Sequence, residues 1–168
     1  MQPIDPTLAE AFQVQFNLER QNRDVYQALE LGFRAIGLCG FACWAHEMAK
    51  GERHDAKAIG NYLIDRGVPA EIRATPAQAP AWGTPLEAFQ QAAALEAACT
   101  DAILKLEALI DELGDPDAEE FIDDFIVDQR ESEVKFELWL AKLELVNGDG
   151  VGTLMLDKQF SKHPLKAK

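Results

Sequence analysis

Four short pieces of this chain put polar side chains where a buried apolar stripe is expected. They are Glu19, Glu52-Arg53-His54-Asp55, Glu96, and Gln129-Arg130-Glu131-Ser132. The signal lies in the spacing. Phe12, Glu19, Tyr26 and Phe33 are seven apart, as are Leu38, Ala45, Glu52 and Ile59, with Phe41, Met48, Asp55 and Tyr62 as a companion row. Phe89, Glu96, Ile103 and Ile110 repeat the pattern, and so do Ile122, Gln129, Phe136 and Leu143 beside Phe125, Ser132, Trp139 and Val146. Seven-residue spacing keeps side chains on one helix face, and two such rows make the buried stripe of a bundle helix. Four carboxylates and an amide would then meet inside a bundle. Buried, unpaired carboxylates cost too much to persist, so these must protonate, find cations or bind metal.

The elements that must position them can be read from breakers and caps. Asp5-Pro6 caps a first helix of about residues 6–34, and a turn near Gly37 leads into a second of about 38–66, stopped by Gly67 and Pro69. Thr84-Pro85-Leu86-Glu87 is a capping box opening a third helix, about 85–113. Gly114 and Asp115-Pro116 separate it from a fourth, about 116–146. Glu19 to Glu52 and Glu96 to Gln129 are both 33 residues, so in two antiparallel hairpins each pair shares one height. The aperiodic stretch 67–83, with Pro69, Pro76, Pro80 and Gly83, is long enough at about 3.3 Å per residue to return along the whole bundle. The second and third helices are then parallel, which is the four-helix bundle with one long crossover. Gly148, Gly150 and Gly152 predict a hinge into a short fifth helix of about 153–161, and His163 to Lys168 a loose tail.

Composition narrows the class. A chain of 168 residues with 48% hydrophobic content and helical periodicity reads as one globular all-α domain, 1–168. A net charge of −13 argues against nucleic-acid phosphates as partners. No apolar run approaches the roughly 20 residues of a membrane span, and Met1 to Pro6 does not read as a signal peptide. Cys39, Cys43 and Cys99 are expected to be buried free thiols in a reducing cytosol. His46 is expected at the surface or in an interface rather than as a ligand, and Met48 in the core rather than on a haem.

Taken jointly, these residues resemble the bacterial non-haem ferritins from Thr7 to about Phe160. The likeness rests on Phe16-Asn17-Leu18-Glu19 with Tyr26 one heptad on, the Glu-x-x-ligand position at Glu52, the lone Glu96, and Gln129-x-x in the fourth helix. Gly148-Asp149-Gly150-Val151-Gly152-Thr153-Leu154-Met155-Leu156-Asp157 is similar to the family's passage into its fifth helix. The resemblance implies a ferritin-like bundle and a homo-oligomeric, cytoplasmic cage of 24 subunits. It implies a di-iron centre that oxidises Fe(II) with dioxygen or peroxide and stores ferric mineral, without haem. Glu19 matches a terminal ligand of one iron, Glu52 the carboxylate bridging both, Glu96 a ligand of the second, Gln129 the glutamine beside the centre, and Tyr26 its nearby tyrosine.

Two positions depart from the pattern. Asp55 stands where the family usually has histidine, and Ser132 where it has glutamate. His54 lies one residue, about 100°, off the stripe, so it faces away from the histidine place unless the helix bulges. Four carboxylates still balance two divalent cations, but an all-oxygen set suits hard ions and gives up imidazole's preference for later transition metals. The third iron position keeps Asp128 and Glu131 but has Gly51 where a glutamate is usual. The expectation is a ferroxidase of altered rate, with Glu52 and Tyr26 in catalytic roles. The alternative is a shell or mineral-nucleating subunit with a degenerate site. Against any metal reading stands a plain one, core-edge carboxylates paired with Arg20, Arg23, Arg53 or Arg130.

Overall fold

A computed structural model describes residues 3–79 and 83–162, the last by its backbone alone. Pro80 and the tail from His163 lie outside the described residues. Five helices follow one another: α1 Pro6–Ala35, α2 Cys39–Asp65, α3 Pro85–Leu113, α4 Pro116–Val146 and α5 Gly150–Lys162. Among the described residues there is no strand, and no helix is long and apolar enough to cross a membrane.

Each boundary has a local cause. Asp5 Oδ1 accepts from the Thr7 amide at 2.7 Å, and Pro6 follows in the first turn, where its missing amide hydrogen costs nothing. The Thr84/Glu87 capping box is complete, and Gly114, at φ +66°, closes α3 in the left-handed conformation that glycine adopts without strain. Asp115 caps α4 through the Ala118 amide at 3.1 Å and also takes Arg66 Nη2 at 2.6 Å, tying the start of α4 to the end of α2. That guanidinium side chain is only 1% exposed; Asp115 holds its proton affinity up, and Arg66 holds the Asp115 carboxyl below its usual range.

The fifth helix begins three residues earlier than expected. Asp149 is its cap: its carboxylate takes the Gly152 amide at 2.7 Å and its carbonyl the Thr153 amide at 2.8 Å. Gly150 and Gly152 are therefore helical, and the turn uses Asn147 and Gly148, both at positive φ. The helix folds back onto the bundle. The first turn of α2 has no side-chain cap of its own, and Asp157 of α5 supplies one by accepting from the Phe41 amide at 2.8 Å.

The α2 and α3 axes run in the same direction. Trp44 stacks on Phe89 at 4.1 Å near one end, while Ile59 and Leu63 join Ile103, Leu106 and Ile110 in one apolar cluster near the other. The crossover is held against α1 by a ladder one side of that helix provides. Gln13 exchanges two hydrogen bonds with the backbone of Glu71, Asn17 accepts from the Arg73 amide at 2.9 Å, Arg20 donates to the Arg73 carbonyl, and Asp24 accepts from Thr75. Their spacing of four, three and four residues is one helix face, so a loop without periodicity acquires a fixed path.

The interior is two apolar clusters rather than one. Tyr26, Phe33, Phe41, Trp44, Phe89, Phe136 and Phe160 pack at the α5 end. Leu8, Phe12, Ile59, Ile103, Ile110 and Ile122 fill the other. Between them lie the polar interruptions of the four heptad rows.

Candidate metal centre

Every residue of the four main rows is buried except Gln129, which is half-buried. The companion rows behave differently. Met48, Asp55 and Tyr62 on α2, and Phe125, Ser132 and Val146 on α4, are only half-buried. The two helices touch through large rings, Tyr62 stacking on Phe121 at 4.2 Å and Trp44 meeting Phe136 at 5.8 Å. Midway between those contacts the facing residues are small or short, Gly51 and Ser132 among them, and a cavity of about 80 Å³ remains. Glu19, Glu52, Asp55, Glu96, Asp128, Gln129 and Ser132 all line it.

The hydrogen bonds within this layer define its chemistry. Glu96, 4% exposed, accepts from the Tyr26 hydroxyl on one oxygen and from Gln129 Nε2 at 3.1 Å on the other. Gln129 also donates to the Glu96 carbonyl, which locks α4 to α3 at this level. Glu19 Oε1 accepts from Gln15 Nε2 at 2.6 Å, and the Cys99 thiol sits 3.5 Å from the same oxygen. The Glu52 carboxyl lies beside that of Glu19, and its Oε2 is buried without a partner.

Burial pushes the Glu52 carboxyl well above its usual range, and the neighbouring charges of Glu19, Glu96 and Asp55 push it further. Burial raises Glu96 as well, against the hydrogen bonds from Tyr26 and Gln129, which favour its charged form. The Tyr26 hydroxyl is held well above its ordinary value by burial, then by the charges of Glu96 and Glu52. Burial and the same carboxylates keep Cys99 a protonated thiol. A layer with this many acid groups relieves its repulsion by holding protons or by exchanging them for cations.

The four arginines do not supply that relief. Arg20 turns to Asn17 and the crossover, Arg23 pairs with Asp24 at 2.5 Å, and Arg53 and Arg130 are exposed. Among the described residues no ion pair joins a cation to Glu19, Glu52 or Glu96, and no three His, Cys, Asp or Glu side chains stand together in metal-ligating geometry. Glu19 and Glu96 take their hydrogen bonds from Gln15, Tyr26 and Gln129 instead.

The sites anticipated from sequence are not all brought together. Glu131 is exposed and pairs with Lys135 at 3.4 Å, outside the cavity that Asp128 lines. His54 is exposed, and His46 is a surface residue 2.9 Å from Glu30. The cysteines correct the earlier expectation: Cys99 is buried, but Cys43 is half-buried and Cys39 exposed, because both lie on the outer seam of α1 and α2 rather than on the stripe. Sequence reasoning missed Gln15, which is 2% exposed. Its signal was available, since Gln15, Asn22 and Leu29 form the companion row of α1 and Gln15 stands four residues before Glu19.

Comparison with known proteins points the same way. A family model described as a ferritin-like domain matches residues 9–146. The bacterial non-heme ferritin of Staphylococcus haemolyticus is 31% identical over 153 residues, covering 91% of this chain and 92% of its own length. That of Bacteroides fragilis is 24% identical over 159 residues, covering 95% and 99%. Among solved structures, an open pore ferritin from the hyperthermophilic archaeon Archaeoglobus fulgidus superposes with a TM-score of 0.91 at 26% identity, over 94% of this chain and 98% of that one. An engineered closed form of the A. fulgidus ferritin gives 0.90 at 26% identity, over 94% and 96%.

Proposed function

This chain belongs to the ferritin-like family, and from that premise we propose that it stores iron, taking Fe(II) as substrate at the carboxylate layer, oxidising it, and holding the ferric product as mineral inside a cytoplasmic cage of 24 copies. The observation that carries the reading is Glu52. A buried carboxylate with one oxygen unpartnered, next to Glu19 and Glu96 and opening on a cavity, is costly unless a cation takes the place of its proton.

The donor set fits hard divalent ions. Glu19, Glu52, Asp55 and Glu96 carry four negative charges when ionised, enough for two Fe(II), and Gln129 and Ser132 add neutral oxygens at the same cavity. Glu52, reached by both Glu19 and Glu96, is the group to bridge two ions. Each Fe(II) gives one electron, so a pair held together delivers two electrons at once, taking one dioxygen to hydrogen peroxide or one hydrogen peroxide to water without releasing a one-electron radical product. Tyr26 fixes Glu96 through its hydroxyl, and Gln129 fixes the other oxygen, so the second ion meets a preset ligand. Protons leaving Glu52 and Glu96 on loading are available to the reduced oxidant.

A second reading keeps the cage and drops the fast chemistry. Asp55 and Ser132 are half-buried and replace the family's imidazole and carboxylate, which favours a shell or nucleating subunit with slow oxidation. Stopped-flow oxidation at two Fe(II) per chain separates them. A rapid oxygen-consuming phase that disappears in Glu52→Ala supports the enzyme; equal rates in the two proteins leave the shell subunit. An assembly mass far below 24 chains would remove both.

A further inference from the structure

Away from the buried layer, the seam between α1 and α2 presents a second set of ligating side chains. Cys39, Cys43 and His46 lie at i, i+4 and i+7 on α2 and share one shallow hollow with Glu30 and Arg34 of α1, floored by Ala42. All three cysteines are free thiols. His46 Nδ1 is 2.9 Å from Glu30 Oε2, and Glu30 Oε1 is held in turn by Arg34 at 3.4 Å. With its proton on Nδ1, His46 donates to the carboxylate and keeps the Nε2 lone pair free. A carboxylate behind a histidine in this way fixes tautomer and ring, as it does for metal-bound histidines. The hydrogen bond by itself is equally at home in a surface ion network; the two thiols in the same hollow are what point to an ion.

We propose that Cys39, Cys43 and His46 bind one thiophilic divalent cation, Zn(II) or Cd(II), on the outer face of the bundle, with Glu30 as the positioning residue for His46. Side chains four apart on a helix have Cβ atoms about 5–6 Å apart, a span two thiolates can close around one ion at about 2.3 Å each. Helical side chains lean toward the N-terminus, so the His46 ring reaches back over the turn that carries Cys43. Two thiolates and a neutral imidazole balance the ion's charge, and water completes a tetrahedron. The donors stand apart, and among the described residues no three such side chains are in metal-ligating geometry, so binding requires a change of rotamer. Cys39 is exposed and Cys43 half-buried, so both can change χ1 without disturbing the core. Soft sulfur and imidazole would hold ions that the all-oxygen centre does not prefer.

The test is a Cd(II) titration of the full-length, iron-free assembly under reducing conditions, read by thiolate-to-cadmium charge-transfer absorption in the ultraviolet and by competition with Zn(II). One ion per chain is expected. The band should vanish in Cys39→Ser and in Cys43→Ser, bind more weakly in His46→Ala, weaken about tenfold or more in Glu30→Gln, and persist in Glu52→Ala and Cys99→Ser. No band in the unsubstituted protein overturns the proposal, as does one that survives the double Cys39→Ser/Cys43→Ser change or depends on Cys99.

Discussion

Gly40→Ala tests how the fifth helix is held. A Cβ at position 40 would stand 1.7 Å from the Asp157 carbonyl oxygen, against 3.4 Å where ordinary contact begins, and the obstacle is backbone. Helix α5 must therefore withdraw from the first turn of α2. Withdrawal stretches or breaks the bond from the Phe41 amide to the Asp157 carboxylate, worth about 1.5–3 kcal/mol for a charged acceptor. It also loosens Phe160, fully buried against Phe41, Trp44, Phe89 and Trp139, where full exposure would cost about 1.5–3 kcal/mol. Alanine's better helix propensity returns about 1 kcal/mol. The net loss should be about 2–5 kcal/mol, or a fall in Tm of roughly 5–15 °C for a chain of this size. Thermal unfolding followed by circular dichroism gives the first number, and hydrogen exchange over residues 150–162 shows whether α5 has come loose. An unchanged or raised Tm with full protection of α5 would refute the packing argument. Asp157→Asn, which keeps the shape and removes the charge, should fall between the two proteins.

Three further outcomes follow from the carboxylate layer. Folding raises Glu52 and Glu96 above the 4.5 of an unperturbed glutamate, so the stability they confer is full below that value and is lost as pH rises through their folded pKa values. The metal-free protein should accordingly lose Tm from about pH 5 toward alkaline pH, Glu52→Gln should flatten the slope, and a divalent cation should reverse it; identical slopes for both proteins would contradict this. Gln15→Leu should weaken the first metal equivalent about tenfold while leaving the helical content intact, because Glu19 loses the amide that orients it; an unchanged calorimetric isotherm would exclude a positioning role. Gly51→Glu meets nothing within 4 Å of its new Cβ, so it should stabilise α2 by up to about 1 kcal/mol and add a further metal equivalent beside Asp128, both visible in thermal melts and titration with and without Asp128→Asn.

Periodicity within each helix was enough to mark the four buried rows, the polar residue interrupting each, and the turns and caps between them, since heptad spacing and capping chemistry are local properties of the chain. Glu19, Tyr26, Glu52 and Glu96 were legible for that reason: each breaks or continues a stripe that its own helix defines. Contacts between helices are another matter, because they depend on crossing angle and axial register, which no single helix encodes. The approach of the Cys99 thiol to Glu19 arose where α1 meets α3. The half-exposed row of Asp55 and Ser132 exists because ring contacts at two levels, one stacked and one edge-on, prop α2 away from α4 and leave the cavity between them. Glu131, one residue from a stripe position, was rotated out to solvent, and Asp157, unremarkable in sequence, became the cap of a helix more than a hundred residues earlier. What the amino-acid order determined was which faces are buried and where helices end; packing decided which polar groups share a volume, since a buried acid takes its protonation from the groups around it.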